Sequence, residues 1–259
     1  MALIKTTQEI DAMREGGALL SCALQKAVDA AKPGVTMCEL DTIIEDEIVA
    51  GGGRPSFKGY KGGGKIPFPS TACISVNNEV VHGLGTRDIV LNEGDIVGID
   101  IGCWYKDLCT DMAVTAPIGK ISKERKILLG ITRDAMYAGV EAAIVGKTTH
   151  DMAQAIEGTV PDGYGIVKSL VGHGVGHAVH ESPHVPNFVS KSFPRVVLKV
   201  GMCLAVEPMV TLGTDDVYVS PDGWTIVTAD GTDAAHFEVT IALTENGPEI
   251  LTPQPEIGM

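Results

Sequence analysis

The stretch Gly94-Asp-Ile-Val-Gly-Ile-Asp100-Ile-Gly-Cys-Trp-Tyr-Lys-Asp-Leu-Cys-Thr-Asp111-Met-Ala-Val-Thr115 decides how the rest of the chain is read. Both limbs alternate with period two, as half-buried strands do. Val97, Ile99, Ile101 and Cys103 share one face of the first limb, and Asp100 shares the other with Gly98 and Gly102. In the second limb Leu108, Thr110, Met112 and Val114 lie together, and Asp111 points with Cys109, Ala113 and Thr115. A tight turn near Tyr105-Lys106 sets Asp100 opposite Asp111, and like charges directly opposite on a sheet repel. Either a cation sits between the two carboxylates, or the hairpin is exposed and its acids face water.

The chain has 259 residues, enough to bury a full core, and we read residues 1–259 as one domain. A hydrophobic content of 44% with 20% charged residues is ordinary for a soluble globular protein. The formal charge of −13 argues against a broad nucleic-acid surface. The first residues turn acidic at once without a signal-like apolar core, and no run approaches a membrane span. Six cysteines at 22, 38, 73, 103, 109 and 203 form no Cys-x-x-Cys pair, as expected of reduced thiols in the cytoplasm.

Outward from the hairpin, an apolar stripe predicts a helix over 7–31, closed by Pro33-Gly34. Thr36-x-x-Glu39 is a capping box that opens a second helix, which Gly51-Gly-Gly53 stops. Lys61-Gly-Gly-Gly-Lys-Ile-Pro67 reads as a mobile excursion without phosphate-loop spacing. Short strands are expected at 73–76 and around Val80-Val81, and helices at about 122–145 and 149–158. Further strands are expected over 166–171, 202–210 and 236–244.

A weak repeat runs through this order. Ala30-Ala-Lys-Pro-Gly34-Val-Thr36 recurs as Ala142-Ala-Ile-Val-Gly146-Lys-Thr148, each ahead of a helix. Leu91-x-x-Gly94 with Ile99-Asp100 recurs as Leu198-x-x-Gly201 with Val206-Glu207. Two copies about an approximate two-fold bring Asp100 and Glu207 to facing positions in one cleft, which suits a pair of metals. Glu238, in His236-Phe-Glu-Val-Thr-Ile-Ala-Leu243, adds a fourth acid on a sparsely filled sheet face. Each acid alone reads as a solvated strand residue, whereas four in the same setting point to a shared site.

The histidines contain a decoy. His180-Glu-Ser-Pro-His184 matches His-Glu-x-x-His, a zinc-peptidase signature that works only on a helix. Pro183 and Pro186, with glycines at 172, 174 and 176, exclude that helix. In Gly172-His173-Gly-Val-Gly176 the backbone can crowd a ligand, so His173 is the better metal candidate. His82 and His180 read as substrate-binding neighbours, His150 as a surface residue at a helix start, and His177 and His184 carry no argued role.

The set Asp100, Asp111, His173, Glu207 and Glu238, with His82 and His180, resembles the type I methionine aminopeptidases. The resemblance covers nearly the whole chain. It includes Cys73-Ile-Ser-Val-Asn77, Val-Val-His82-Gly, Gly-His173-Gly-Val-Gly-x-x-x-His180-Glu-x-Pro, Gly201-Met-x-x-x-x-Glu207-Pro-Met and Trp224 before Glu238. It implies an α/β (α+β) pita-bread fold with pseudo-two-fold symmetry and a curved antiparallel sheet flanked by helices. It implies two divalent metal ions (Co, Mn, Fe or Zn) on the five ligands, and a thioether pocket onto which Tyr60, Phe68, Cys73 and Trp224 map. The implied reaction removes the N-terminal methionine from nascent proteins and peptides with a small second residue. Glu207 acts in it as general base, His180 on the oxyanion and His82 on the substrate amide. A cytoplasmic monomer acting on a peptide or nascent-chain N-terminus is expected, and a transient ribosome contact is consistent with that substrate. The readings set against this one are another pita-bread exopeptidase of Xaa-Pro type, disfavoured by the short N-terminal stretch, and an inactive binding protein of the same fold.

Two departures stand out. The family usually has Ala-Gln-[Phe/Tyr]-Glu-His-Thr around the last ligand, where this chain has Ala235-His236-Phe-Glu238-Val239-Thr240. The usual Gly-Tyr-x-Gly-[Phe/Tyr]-Pro is interrupted by Gly63-Gly-Lys-Ile-Pro67 between Gly62 and Phe68-Pro69.

Overall fold

The computed structural model describes residues 4–62 and 66–258. Each half of the chain contributes two helices laid over one face of an antiparallel sheet. In the first half these are α1 (Thr7–Ala30), α2 (Met37–Ala50), β1 (Arg54–Pro55), β2 (Ala72–Val76), β3 (Glu79–Val81), β4 (Ile96–Tyr105) and β5 (Leu108–Pro117). The second half has α3 (Lys123–Ala142), α4 (Thr149–Thr159), β6 (Gly165–Ile166), β7 (Gly172–Gly174), β8 (Glu181–Val185) and β9 (Cys203–Val206). It continues with β10 (Met209–Thr211), β11 (Val217–Val219), β12 (Ile226–Thr228), β13 (Ala234–His236), β14 (Val239–Thr244) and β15 (Gly247–Ile250). The expected capping box at Thr36–Glu39 is present, and Thr6–Glu9 forms another at the start of α1. One apolar core takes Leu24 of α1, Ile44 of α2, Leu129 of α3 and Ile156 of α4 against Ile99, Val114, Val206 and Ile241 of the sheets.

The repeat is a repeat of structure. Gly34 N–H donates to Leu91 O at 2.8 Å, and Gly146 N–H donates to Leu198 O at 2.9 Å. Thr36 bridges Val90 as Thr148 bridges Val197. The strand registers match as well. Ile99 lies opposite Val114 as Val206 lies opposite Val239, and Gly102 opposite Asp111 as Met209 opposite His236. Glu207 is therefore the counterpart of Asp100, Glu238 that of Ala113, and His236 that of Asp111. The halves meet along a seam where Ala113 and Glu238 exchange backbone hydrogen bonds of 3.2 and 2.9 Å. Gln254 Nε2 donates to both of their carbonyls.

Several expectations need correction. Asp100 does not lie opposite Asp111; it pairs with Ala113, and Asp111 with Gly102. The turn is the two-residue Lys106-Asp107, both left-handed at φ 49° and 62°, as the twist of a short hairpin prefers. The carboxylates are diagonal neighbours on the same face. The strands expected over 202–210 and 236–244 are each broken, at Glu207-Pro208 and at Phe237-Glu238, so both glutamates sit at interruptions. Of the strand expected at 166–171 only Ile166 is extended, in the two-residue β6 Gly165–Ile166, and α3 stops at Ala142. Of the excursion 61–67, Gly63, Gly64 and Lys65 lie outside the described residues. Its base is pinned, because Phe68 N–H donates to Tyr60 O and Gly59 N–H to Phe68 O, each at 2.8 Å.

Candidate metal centre

Asp100 on β4 and Asp111 on β5 converge with Glu207 and Glu238 on a cavity of about 590 Å³. His173 comes from β7, whose neighbour β8 holds Glu181–Val185 extended, so the His-Glu-x-x-His decoy is a strand. His173 Nδ1 donates to Gly174 O at 2.9 Å, which leaves Nε2 without a proton. That bare nitrogen lies 3.3 Å from Glu207 Oε1. Two acceptors at this separation need a proton or a cation between them. One ligand atom each from Asp111, His173 and Glu238 lies within 4.8 Å of the others. Asp100 Oδ1, Asp111 Oδ1, Glu238 Oε1 and His236 Nε2 are buried without a hydrogen-bond partner among the described residues. Buried polar atoms are rarely left so.

Burial, reinforced by mutual repulsion, holds the Asp111, Glu207 and Glu238 carboxyls well above the usual carboxylate range. Burial places Asp100 at about 7, with a Cys73 hydrogen bond opposing it. Burial also lowers His173 and His236 to about 3 and His82 to about 4. The site is thus four carboxyls that resist ionisation and neutral imidazoles with free lone pairs. A divalent cation reverses that resistance, and the donor set fits one.

The apolar part of the cavity is built by residues far apart in sequence. Cys73, buried on β2, pairs with Asp100 across the sheet. Phe68 and Trp224 meet edge to face at 5.2 Å, and the His82 ring lies 6.5 Å from Trp224. Tyr60 lines the cavity in spite of the interruption after Gly62, and its hydroxyl lies 2.7 Å from His180 Nδ1. His180 stacks edge to face on His173 at 4.3 Å. All the residues singled out from the sequence, Tyr60, Phe68, Cys73, His82, Asp100, Asp111, His173, His180, Glu207, Trp224 and Glu238, line this cavity.

Phe57, Met209 and His236 line it too and were not assigned to it from the sequence. Gly102 carried the signal for Phe57. A Cβ there would stand 2.2 Å from Ser56 Oγ and 3.0 Å from the Phe57 ring, so this glycine admits a neighbour rather than leaving space for a cation. His150, expected on the surface, is half-buried with Nε2 2.9 Å from Ser190 O. Glu181 is a structural partner, since its carboxylate meets the buried Lys5 ammonium at 2.5 Å and accepts from Ala178 N–H.

A pseudo-two-fold sheet with a carboxylate-rich centre on its seam defines a metallopeptidase, and the sequence profile of Metallopeptidase family M24 matches residues 11–245. A methionine aminopeptidase of Clostridium acetobutylicum is 43% identical over 97% of this chain and 99% of its own. One of Bacillus subtilis is 42% identical over 97% and 99%. The crystal structure of the Thermotoga maritima methionine aminopeptidase superposes with a TM-score of 0.92 at 40% identity, covering 98% of this chain and 100% of that one. The prolidase of Pyrococcus furiosus shares the fold, with a TM-score of 0.76 at 22% identity over 98% of this chain and 66% of its own. The chain belongs to the methionine aminopeptidases of metallopeptidase family M24.

Proposed function

We propose that the chain removes the amino-terminal methionine from peptides and nascent proteins with a small second residue. Asp100, Asp111, His173, Glu207 and Glu238 would hold two divalent metals. The observation that carries this reading is the set of orphaned carboxylate oxygens facing the bare Nε2 of His173 in one cavity. The bound metals supply an activated water and a polarised carbonyl. Oxygen and imidazole donors suit Mn, Fe, Co or Zn.

The chain's own groups supply the rest. Glu207 takes the proton of the attacking water and returns it to the leaving amine. The substrate's free α-amine would be held at the metal site beside Asp100, which restricts cleavage to the first residue. With the Tyr60 hydroxyl, 2.7 Å from His180 Nδ1, as the donor, the ring proton stays on Nε2 to meet the developing oxyanion. His82 contacts the substrate amide. Its positive φ of 59° is held in place because Gly83 packs where a Cβ would meet Ile74 O at 2.1 Å. Phe57, Phe68, Cys73 and Trp224 surround the methionine thioether, a contact that sulfur makes well with ring edges.

Residues 1–259 are read as one catalytic domain because the core takes side chains from both halves. Among the described residues no helix is long and apolar enough to cross a membrane. Action as a monomer in the cytoplasm belongs to the proposed reading. The test is release of methionine from Met-Ala-Ser against Leu- and Xaa-Pro peptides, with and without chelator. Metal-dependent cleavage of the methionyl peptide alone is expected. Cleavage of the Xaa-Pro peptide, or full activity in metal-free protein, overturns the reading.

A further inference from the structure

The imidazole of His236 sits at the centre, on a side chain only 4% exposed. Its Nε2 has no partner among the described residues. That atom lies 3.7 Å from Glu207 Oε2 and 3.9 Å from Glu238 Oε2. Both distances exceed a hydrogen bond, and both suit two donors that share a cation. Glu207 is thereby flanked on each oxygen by an imidazole, with His173 Nε2 at 3.3 Å from Oε1. The backbone fixes the placement. His236 N–H donates to Thr115 Oγ1, and that hydroxyl donates to His236 O, each at 2.9 Å. The register gives an independent argument. His236 faces Met209 as Asp111 faces Gly102, so His236 occupies in the second half the place of a proposed ligand in the first.

We propose that His236 is a sixth protein ligand of the metal centre, adding a second imidazole nitrogen on the side shared by Glu207 and Glu238. This rests on the dinuclear reading above. Its consequence is selectivity, because an imidazole donor favours zinc and cobalt over manganese more strongly than a carboxamide does.

The test counts imidazoles. In the cobalt-loaded protein each ligated histidine gives one solvent-exchangeable, hyperfine-shifted ring N–H signal in the proton NMR spectrum. Wild type is expected to show two such signals and His236→Gln one. Zinc affinity of the variant, titrated into metal-free protein, is expected to fall at least ~100-fold, beyond what loss of an outer hydrogen-bond partner gives. Manganese affinity is expected to stay within about tenfold. A single signal in wild type overturns the proposal without recourse to any variant. So does an unchanged zinc affinity in a variant whose metal-free melting temperature matches wild type. A wild type that binds no cobalt removes the dinuclear reading and this proposal with it, an outcome distinct from cobalt bound with one signal.

Discussion

Raising the pH of the chelated protein from 6.5 to 8.5 should destabilise it, which is the reverse of its behaviour with metal. A carboxyl whose folded pKa is raised contributes stability below its unfolded value that is lost as pH rises through the folded one. Asp100 moves from an ordinary 3.8 to about 7, and Asp111, Glu207 and Glu238 lie well above their usual range. The buried imidazoles act in the opposite sense. His173 and His236 at about 3 and His82 at about 4, against an ordinary 6.5, favour the folded state as pH rises toward 6.5 and add nothing above it. Below pH 6.5 the two sets oppose one another; above it the carboxyls act, and toward pH 8.5 the buried Cys73, Cys103, Cys109 and Cys203 thiols, raised by burial, act in the same direction. A carboxyl protonated in the folded state alone costs about 1.4 kcal/mol per pH unit until pH passes its folded value, so the loss at Asp100 levels off above about 7 and the rest of the slope comes from Asp111, Glu207 and Glu238. At this chain length each kcal/mol lost corresponds to about 2–4 °C in Tm. Asp111→Asn removes one such group and its repulsion on Glu207 and Glu238, so the variant's slope should be shallower and its chelated form more stable at pH 8.5. Bound metal requires ionised ligands, so the loaded protein should gain stability over the same range. The assay is thermal melting at fixed ionic strength, with and without chelator. A chelated wild type whose Tm is flat or rising from pH 6.5 to 8.5, or an Asp111→Asn variant with the wild-type slope, would refute the reasoning.

Glu207→Gln should lower kcat by at least ~10²-fold, with metal occupancy measured alongside the rate, as expected for loss of a general base. Glu181→Gln should keep its metal in elemental analysis while losing about 3 kcal/mol in denaturant titration, because it strands the buried Lys5 ammonium. Deleting Gly63 to Pro67 should raise KM more than it lowers kcat in steady-state assays, since the excursion leaves from the pinned Tyr60–Phe68 base at the cavity. Gly102→Ala should displace Phe57 and raise KM for methionyl peptides while metal content stays at the wild-type level.

The faces of the central hairpin were legible in the sequence although its register was not. Moving Asp100 from opposite Asp111 to opposite Ala113 shifts the pairing by two residues, and a period-two pattern keeps every side chain on its face under that shift. The turn that sets the register, Lys106-Asp107, adopts left-handed geometry without a glycine, so composition held no sign of it. The break at Glu207-Pro208 did have a sign, because a proline is a poor residue for a strand interior. That at Phe237-Glu238 had none, since it arises from the seam contact with Ala113, a tertiary event. The helices were legible from their caps and apolar stripes. The hairpin β11–β12, with strands of three residues each and only β11 largely exposed, left too short an alternation to read. The convergence of the four acids on one cavity was legible because each recurred in the same small-residue setting, whereas Phe57 and His236 entered that cavity through neighbours that only the folded chain brings together.

The two-fold of the backbone also bears on how the site tells one end of a peptide from the other. A scaffold built from two equivalent halves has no preferred direction, and a peptide laid across it could run either way. The side chains remove that ambivalence. The exchange of Asp111 for His236 and of Ala113 for Glu238 across the axis makes the two sides chemically unequal. Tyr60, Phe57 and Phe68 crowd the cavity from the first half alone. Polarity toward the amino terminus is therefore a property of decoration rather than of architecture.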